Sequence, residues 1–158
     1  MQLALNRLWW YSSDIVRAGL EPHRAAIEAQ AVRVEVNVPE DLEVHIARSR
    51  VERVIENLVA NALEAMPGGG TLRITASGRS GHALLELADS GPGVPAEIAE
   101  RLFQPFVTAG KKDGLGLGLA LSRQTMLDHR GDLWLASGPG ESATFRLRLP
   151  LTLKAGNP

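Results

Sequence analysis

The residues best suited to chemistry lie in the segment 51–67, VERVIENLVANALEAMP, which the apolar spacing predicts to be a helix. Asn57 and Asn61 are four residues apart, with Glu64 three further on, so their side chains point the same way. Asparagine is a mediocre helix former, which favours a role for these amides. An amide oxygen is a hard, neutral ligand, suited to Mg²⁺ that keeps several waters and contacts a nucleotide phosphate. Two solvated asparagines on an exposed face are the alternative, and the helix alone leaves both open.

A second candidate is Asp89-Ser90-Gly91-Pro92-Gly93, which directly follows a predicted strand. A carboxylate at a strand end can accept a hydrogen bond from an exocyclic amine, while the glycines let a flat ring approach the backbone. The same residue types form ordinary turns, so this motif alone is a weak signal.

A third candidate is the glycine-rich segment 110–118, at the start of a predicted helix. Glycines there turn unobstructed backbone N–H groups, reinforced by the helix dipole, toward an anion. The segment lacks the GK[ST] ending of a P-loop, although two lysines add positive charge. A flexible linker is the alternative. The residues concerned are Gly110, Lys111, Lys112, Gly114, Leu115, Gly116, Leu117 and Gly118.

The elements that position these motifs follow from periodicity and turn residues. A helix from about 15 to 30 is predicted to begin at Ser12, Ser13 or Asp14 as N-cap and to be kinked or divided at Pro22. Phe103 and Phe106 are predicted to hold a long loop, 89–114, onto the domain. Residues 3–11 fit either a strand or the end of a helix. The other predicted elements are strands 32–38, 44–46, 71–77, 83–88, 133–136 and 143–149, a hairpin loop at 78–81, and helices 95–102 and 115–129.

Composition limits the class of protein. The chain has 158 residues, of which 44% are hydrophobic and 22% charged, with a formal net charge of −1 and no cysteine. These values are typical of one globular domain, and they exclude disulfides and thiolate metal sites. We expect a cytoplasmic domain without nucleic-acid or direct membrane contact, because it has neither a basic excess nor a spanning or signal segment. Helices gathered on one side of the strands predict an α/β sandwich.

The joint order of the motifs is more specific than any one of them. Asn57-x-x-x-Asn61, DxGxG at 89–93, Phe103-x-x-Phe106 and GLGLG at 114–118 together resemble the ATP-binding catalytic domain of sensor histidine kinases. This domain belongs to the GHKL superfamily, with gyrase, MutL and the ninety-kilodalton heat-shock chaperones. The resemblance covers about residues 12–150. It implies an α+β fold of the Bergerat type: a two-layer sandwich whose mixed, mostly antiparallel sheet is covered on one face by helices.

The resemblance also implies roles for individual residues. Asn61 would be the principal Mg²⁺ ligand, and Asn57 would support the metal or the water shell of the phosphates. Asp89, Gly91 and Gly93, with Thr144 acting through water, would bind adenine. Segment 95–114 would be the ATP lid. In the family a lysine often follows a Thr-Thr pair in the lid, whereas here the lysines follow Thr108-Ala109-Gly110. The resemblance therefore leaves open whether Lys111 or Lys112 neutralises the phosphates. The segment that would wrap the phosphates consists of Gly114, Leu115, Gly116, Leu117 and Gly118.

The implied reaction is phosphoryl transfer. Hydrolytic relatives carry a glutamate where this chain has Asn57, and an asparagine cannot take a proton from water. The acceptor would be a histidine elsewhere, because the surroundings of His23, His45, His82 and His129 do not fit the phosphoacceptor motif, and these four are expected to be surface or packing residues. An anti-sigma-type serine kinase and a degenerate, non-catalytic nucleotide-binding domain are the alternatives.

The expected organisation is one ATP-binding domain, 1–150, followed by a polar tail, 151–158. Residues 1–12 would be a linker or first strand from a preceding dimerisation region. The partners implied are ATP, the dimerisation and histidine-phosphotransfer domain of the same kinase, and the receiver domain of a response regulator. The isolated domain would be a monomer, the full-length kinase a homodimer, and the domain could form the cytoplasmic part of a membrane-bound sensor.

Overall fold

The computed structural model describes residues 8–108 and 116–151. The predicted loop residues 109–115, the tail from 152 and the first seven residues lie outside these ranges. The strands are β1 (Leu8–Tyr11), β2 (Val32–Asn37), β3 (Glu43–Ile46), β4 (Gly70–Arg79), β5 (His82–Asp89), β6 (Asp132–Leu135) and β7 (Thr144–Pro150). The helices are α1 (Ser12–Leu20), α2 (Arg24–Ala29), α3 (Arg48–Ala65), α4 (Ala96–Ala99) and α5 (Gly118–Asp128), with a short 3₁₀ turn, Glu21–His23, between α1 and α2.

Five strands form one sheet in the order β2-β4-β5-β7-β6, and β1 pairs with β3 in a separate antiparallel ribbon. β2 runs parallel to β4, whereas the other three pairings of the large sheet are antiparallel. Alternate residues of β5 are buried, starting at Ala83 and ending at Asp89, so one face of the sheet packs on the helices. The predicted two-layer α+β sandwich with a mostly antiparallel sheet is confirmed.

Helix α3 supplies the centre of the core. Val51, Ile55, Leu58 and Ala62 are buried as the apolar spacing predicts, and they are joined by other apolar residues on the same side of the helix. The same spacing predicts that Ala65 is buried too, but Ala65 is partly exposed at the C-terminal end of the helix. None of the helices in the described ranges is long and apolar enough to cross a membrane.

The first helix differs from its prediction at the start. Tyr11 is the N-cap of α1, and no side chain caps the helix. Ser12 is buried, its main-chain N–H donates to the Leu42 carbonyl at 2.8 Å, and its hydroxyl has no partner. The predicted capping by Ser12, Ser13 or Asp14 is therefore wrong, because β1 leads directly into the helix. The division at Pro22 is confirmed by the 3₁₀ turn.

The hairpin between β4 and β5 is tighter than the predicted loop 78–81. Arg79 pairs with His82, so only Ser80 and Gly81 form the turn. Both have positive φ, 52° and 76°, which is the geometry of a type I′ turn. The strands are correspondingly longer than predicted.

Helices α3 and α5 pack antiparallel and are joined at the end remote from the glycine-rich segment. Arg50 Nη2 lies 2.7 Å from Asp128 Oδ2, and this hydrogen bond lowers the pKa of Asp128. His129 is buried; its Nε2 accepts the Ala47 N–H at 3.1 Å and its Nδ1 donates to the Thr125 carbonyl at 2.7 Å. This pattern requires the neutral imidazole. His129 is thus a packing residue, as expected.

Candidate functional site

Asp89, the last residue of β5, places a carboxylate in the packed layer between sheet and helices. It is 9% exposed, and its Oδ1 accepts the Gly91 N–H at 2.8 Å. Burial raises the pKa of Asp89, and the hydrogen bond from Gly91 opposes that rise. The contacts described for this side chain use Oδ1 alone, so Oδ2 remains available as an acceptor.

The loop after Asp89 packs closely against the end of α3 and the segment before β7. A Cβ on Gly91 would lie 2.9 Å from the Ala65 carbonyl oxygen at the end of α3. Gly93 has a φ of +81°, and a Cβ there would lie 1.9 Å from the Glu141 carbonyl oxygen. Ser142 Oγ donates to the Gly91 carbonyl at 2.7 Å. The two glycines of the DxGxG motif are therefore required by the packing of the loop itself.

Thr144 does not share the face of the sheet that carries Asp89. The register pairs Thr144 with Ala88, and side chains alternate between the two faces along a strand. The neighbour of Asp89 on the helix-facing side is Ala143, whose carbonyl accepts the Asp89 N–H at 3.1 Å. The hydroxyl that reaches the Asp89 loop belongs to Ser142, which the sequence did not single out.

The amide of Asn57 lies between α3 and the first turn of α5. Its Nδ2 donates to Ser122 Oγ at 3.1 Å, and a Cβ on Gly118 would lie 2.6 Å from its Oδ1. Asn61 follows one turn later on α3 and is likewise partly exposed. Ser122 was missed by sequence reasoning, although its spacing of four from Gly118 puts both on one face of α5.

Phe106, inside the predicted lid, contacts Gly116, which lies just beyond the end of the lid. Phe106 donates its main-chain N–H to the Gly116 carbonyl at 2.9 Å, and a Cβ on Gly116 would lie 2.6 Å from the Phe106 carbonyl carbon. The Phe103 ring packs edge-on against Phe145, with centroids 6.4 Å apart, beneath the Arg123 guanidinium. Phe103 therefore holds the loop as predicted. The same prediction is wrong for the Phe106 side chain, which is 75% exposed.

Four of the predicted phosphate-binding residues, Lys111, Lys112, Gly114 and Leu115, lie outside the described residues, as does Gly110. Leu117 is the residue before α5 and its carbonyl accepts the Leu121 N–H at 2.9 Å. The structure thus brings Gly116, Leu117 and Gly118 to the same end of the domain as Asn57.

The remaining histidines have local partners. His23 Nε2 lies 3.0 Å from the Glu56 carbonyl oxygen, His82 Nδ1 lies 3.1 Å from the Ser80 carbonyl oxygen, and the His45 ring lies 5.0 Å from the Trp9 ring. None of the three forms part of a metal-binding group, because no three His, Cys, Asp or Glu side chains converge within the described ranges.

The donor set fits a hydrated Mg²⁺ carried by a nucleotide. A divalent cation here would depend on amide oxygens, waters and phosphate oxygens, which is the usual environment of nucleotide-bound Mg²⁺. Helix α5 begins at Gly118, beside the Asn57 amide, and the N–H groups at a helix N-terminus favour an anion. This chain therefore has groups whose chemistry matches a base, phosphates and a hydrated metal ion.

Comparison with known proteins agrees with this chemistry. Residues 46–153 match the family described as histidine kinase-, DNA gyrase B- and HSP90-like ATPases. The alginate biosynthesis sensor protein KinB of Pseudomonas aeruginosa is 33% identical over 95% of this chain, and the C4-dicarboxylate transport sensor protein DctB of Rhizobium meliloti is 39% identical over 86%. The chain spans only about a quarter of the length of these curated relatives, 26% and 22% respectively.

A solved structure shows the same fold. The catalytic domain of histidine kinase ThkA superposes with a TM-score of 0.83 at 28% identity, covering 93% of this chain and 97% of that domain. ThkA has also been solved in complex with the response regulator protein TrrA, where the match covers 95% of this chain and 43% of that one, with a TM-score of 0.79 and 26% identity.

Proposed function

This chain belongs to the family of histidine kinase-, DNA gyrase B- and HSP90-like ATPases, and we propose that it is the ATP-binding catalytic domain of a two-component sensor histidine kinase. In this proposal it binds Mg-ATP and delivers the γ-phosphate to a histidine on a separate dimerisation and phosphoacceptor domain. The relatives named as sensor proteins and as a histidine kinase support this branch of the family.

The observation that carries the proposal is that one rigid element, α3, borders both halves of the site. Ala65, at its C-terminal end, touches the Asp89 loop, while Asn57 touches the first turn of α5. These residues are separated by about 12 Å along the helix axis, at 1.5 Å per residue. That separation suits a nucleotide whose base lies at Asp89 and whose phosphates lie at α5.

Each group then has a defined task. Asp89 Oδ2 accepts a hydrogen bond from the adenine amine, and the glycine loop lets the ring approach. The N–H groups at the start of α5 bind the phosphates, with Lys111 or Lys112 adding charge. Asn61 would hold Mg²⁺, with Asn57 supporting its water shell, and the bound cation would supply positive charge beside the phosphates.

The residues present favour transfer over hydrolysis. The amide at Asn57 cannot act as a general base, and its nitrogen already donates to Ser122. Glu56 is adjacent in sequence, but one residue corresponds to a rotation of about 100° on a helix, so it faces away from the Asn57 side. The site positions and stabilises the phosphoryl group, and the nucleophile comes from another domain. A receiver domain of a response regulator is the proposed final acceptor, by analogy with the ThkA–TrrA complex.

The experiment is phosphoryl transfer in solution. The chain would be incubated with γ-labelled Mg-ATP and a separately produced histidine-bearing dimerisation domain, beside the variant Asn61→Ala. We expect label on the acceptor that survives base and is lost in acid, and no label with Asn61→Ala. Release of inorganic phosphate without acceptor labelling would instead indicate a hydrolase, and acid-stable label would indicate a serine kinase.

A further inference from the structure

The side-chain amide of Asn57 is held on two sides by residues of α5. Its Nδ2 lies 3.1 Å from Ser122 Oγ, and its Oδ1 lies so near Gly118 that a Cβ there would be 2.6 Å away. Ser122 is 5% exposed, so water does not compete freely for its hydroxyl. A hydrogen bond in such a desolvated place is costly to lose, because its partners are left unsatisfied.

The Asn57 amide nitrogen donates in this bond and the Ser122 hydroxyl oxygen accepts. A serine hydroxyl inside a helix can give its own proton to the main-chain carbonyl four residues earlier, which leaves its oxygen to accept from a neighbour. The amide is therefore turned with its nitrogen toward Ser122 and its oxygen toward Gly118, the first residue of α5.

We propose that Ser122 is a positioning residue that fixes the Asn57 amide so that it presents an acceptor, and not a donor, at the phosphate-binding turn. An amide oxygen attracts a cation or the protons of cation-bound water, and it repels a bare phosphate oxygen. This inference rests on the proposed function. It assigns Asn57 to the hydrated Mg²⁺ and excludes a direct donor contact from Asn57 to the triphosphate.

Gly118 completes the arrangement. The Asn57 amide occupies the space that a side chain at Gly118 would need, with the nearest amide atoms 2.6, 3.0 and 3.1 Å from an added Cβ. The amide can therefore approach the helix turn only because residue 118 has no side chain. The absence of a side chain at Gly118 therefore makes room for the Asn57 amide as well as for a phosphate.

The test compares Ser122→Ala, Asn57→Ala and the double variant. The Kd for a non-hydrolysable ATP analogue would be measured by calorimetry in excess Mg²⁺ and again in EDTA. We expect Ser122→Ala to reduce the gain in affinity that Mg²⁺ provides by about fivefold, the effect of one hydrogen bond, and to change the Kd in EDTA by less than about twofold. In the Asn57→Ala background, Ser122→Ala should have no further effect on the Mg²⁺ gain.

A matched control is Ser12→Ala, which removes another buried serine hydroxyl, on α1, that has no hydrogen-bond partner. It should leave the Mg²⁺ gain unchanged. A second readout needs no nucleotide: the Asn57 side-chain NH₂ signals in an ¹⁵N-resolved NMR spectrum should shift in Ser122→Ala and not in Ser12→Ala.

Three results would overturn the inference. Equal loss of affinity in Mg²⁺ and EDTA would mean that Ser122 only supports the fold. Additive effects of the two substitutions in the double variant would mean that Ser122 does not act through Asn57. A parent chain that binds no nucleotide would refute the proposed function, and this inference with it, so the two failures are distinguishable.

Discussion

Asp89→Asn separates the binding role of this side chain from its effect on folding. In the parent, Oδ1 accepts the Gly91 N–H at 2.8 Å and Oδ2 is left for the adenine amine. Both partners are donors, and a carboxylate satisfies both. An asparagine has one acceptor and one donor group, so in either orientation its NH₂ faces another donor.

The expected loss of affinity follows from this mismatch. A hydrogen bond to a charged group contributes about 1.5–3 kcal/mol, and a buried donor left unpaired costs about 1–3 kcal/mol. Taken together, we expect at least about 2.5 kcal/mol, which weakens the Kd for ATP at least about 60-fold. The preference for ATP over GTP should also fall, because an asparagine NH₂ can donate to the guanine oxygen whereas the carboxylate repels it.

Stability should change in the opposite direction. The pKa of Asp89 is raised above its ordinary value of 3.8 because burial disfavours the ionised form. Asp89 therefore contributes fully to the free energy of unfolding when the pH is below its pKa in the unfolded chain. This contribution is lost as the pH rises through its pKa in the folded protein. Asparagine carries no charge, so Asp89→Asn should gain stability relative to the parent over this pH interval and keep the advantage at neutral pH.

The assays are calorimetric titration with ATP and GTP analogues, and urea unfolding at a series of pH values. Asp14→Asn is the matched control, since Asp14 lies in an exposed ion pair with Arg17, 3.3 Å away. It should change neither nucleotide affinity nor the ATP preference. If Asp89→Asn proved less stable than the parent at neutral pH, with binding lost only in proportion to unfolding, the carboxylate would be structural and the account of the base site would be refuted.

Further predictions concern residues that hold the site together, each checked by urea unfolding. Gly93→Ala should lower the free energy of unfolding by more than about 2 kcal/mol, because the positive φ and a clash with a carbonyl oxygen 1.9 Å from the added Cβ act together. Gly81 also has a positive φ, +76°, but open space around it, so Gly81→Ala should cost only about 1 kcal/mol. Equal losses for the two variants would contradict this prediction. Asp128→Asn should lower stability by at most about 1 kcal/mol, since its bond to Arg50 is about one-third exposed. That loss should vanish as the pH falls through the lowered folded pKa of Asp128, and a loss constant with pH would refute the assignment. His129→Ala should cost about 2–4 kcal/mol through a cavity and an unpaired N–H; a loss below about 1 kcal/mol would show that the histidine does not join α3 to α5.

The sequence predicted the parts of this site that depend on local pattern. Helix α3 was recognisable because its apolar and amide residues repeat at helical spacing, and the structure has that helix. Its start was predicted three residues late, at Val51, because the first turn, Arg48–Arg50, carries no apolar signal. The order of motifs identified the family, since several weak signals in a fixed order exclude accidental matches.

Contacts between elements could not be predicted, because they depend on packing. Ser122 is one serine among several, and only the docking of α5 on α3 gives it the Asn57 amide as a partner. The placement of Thr144 shows a second limit: a shift of one residue in a strand moves a side chain to the other face. Its role therefore depended on a register that the pairing with Ala88 reveals and the sequence does not.

We propose that Asp89, Asn57 and the start of α5 form one Mg-ATP site. The most direct test is calorimetric titration of the parent chain with non-hydrolysable ATP and GTP analogues, each in excess Mg²⁺ and in EDTA. We expect one bound ATP analogue per chain, tighter with Mg²⁺, and much weaker binding of the GTP analogue. Absence of binding, or equal affinity for the two nucleotides with no effect of Mg²⁺, would refute the proposed site.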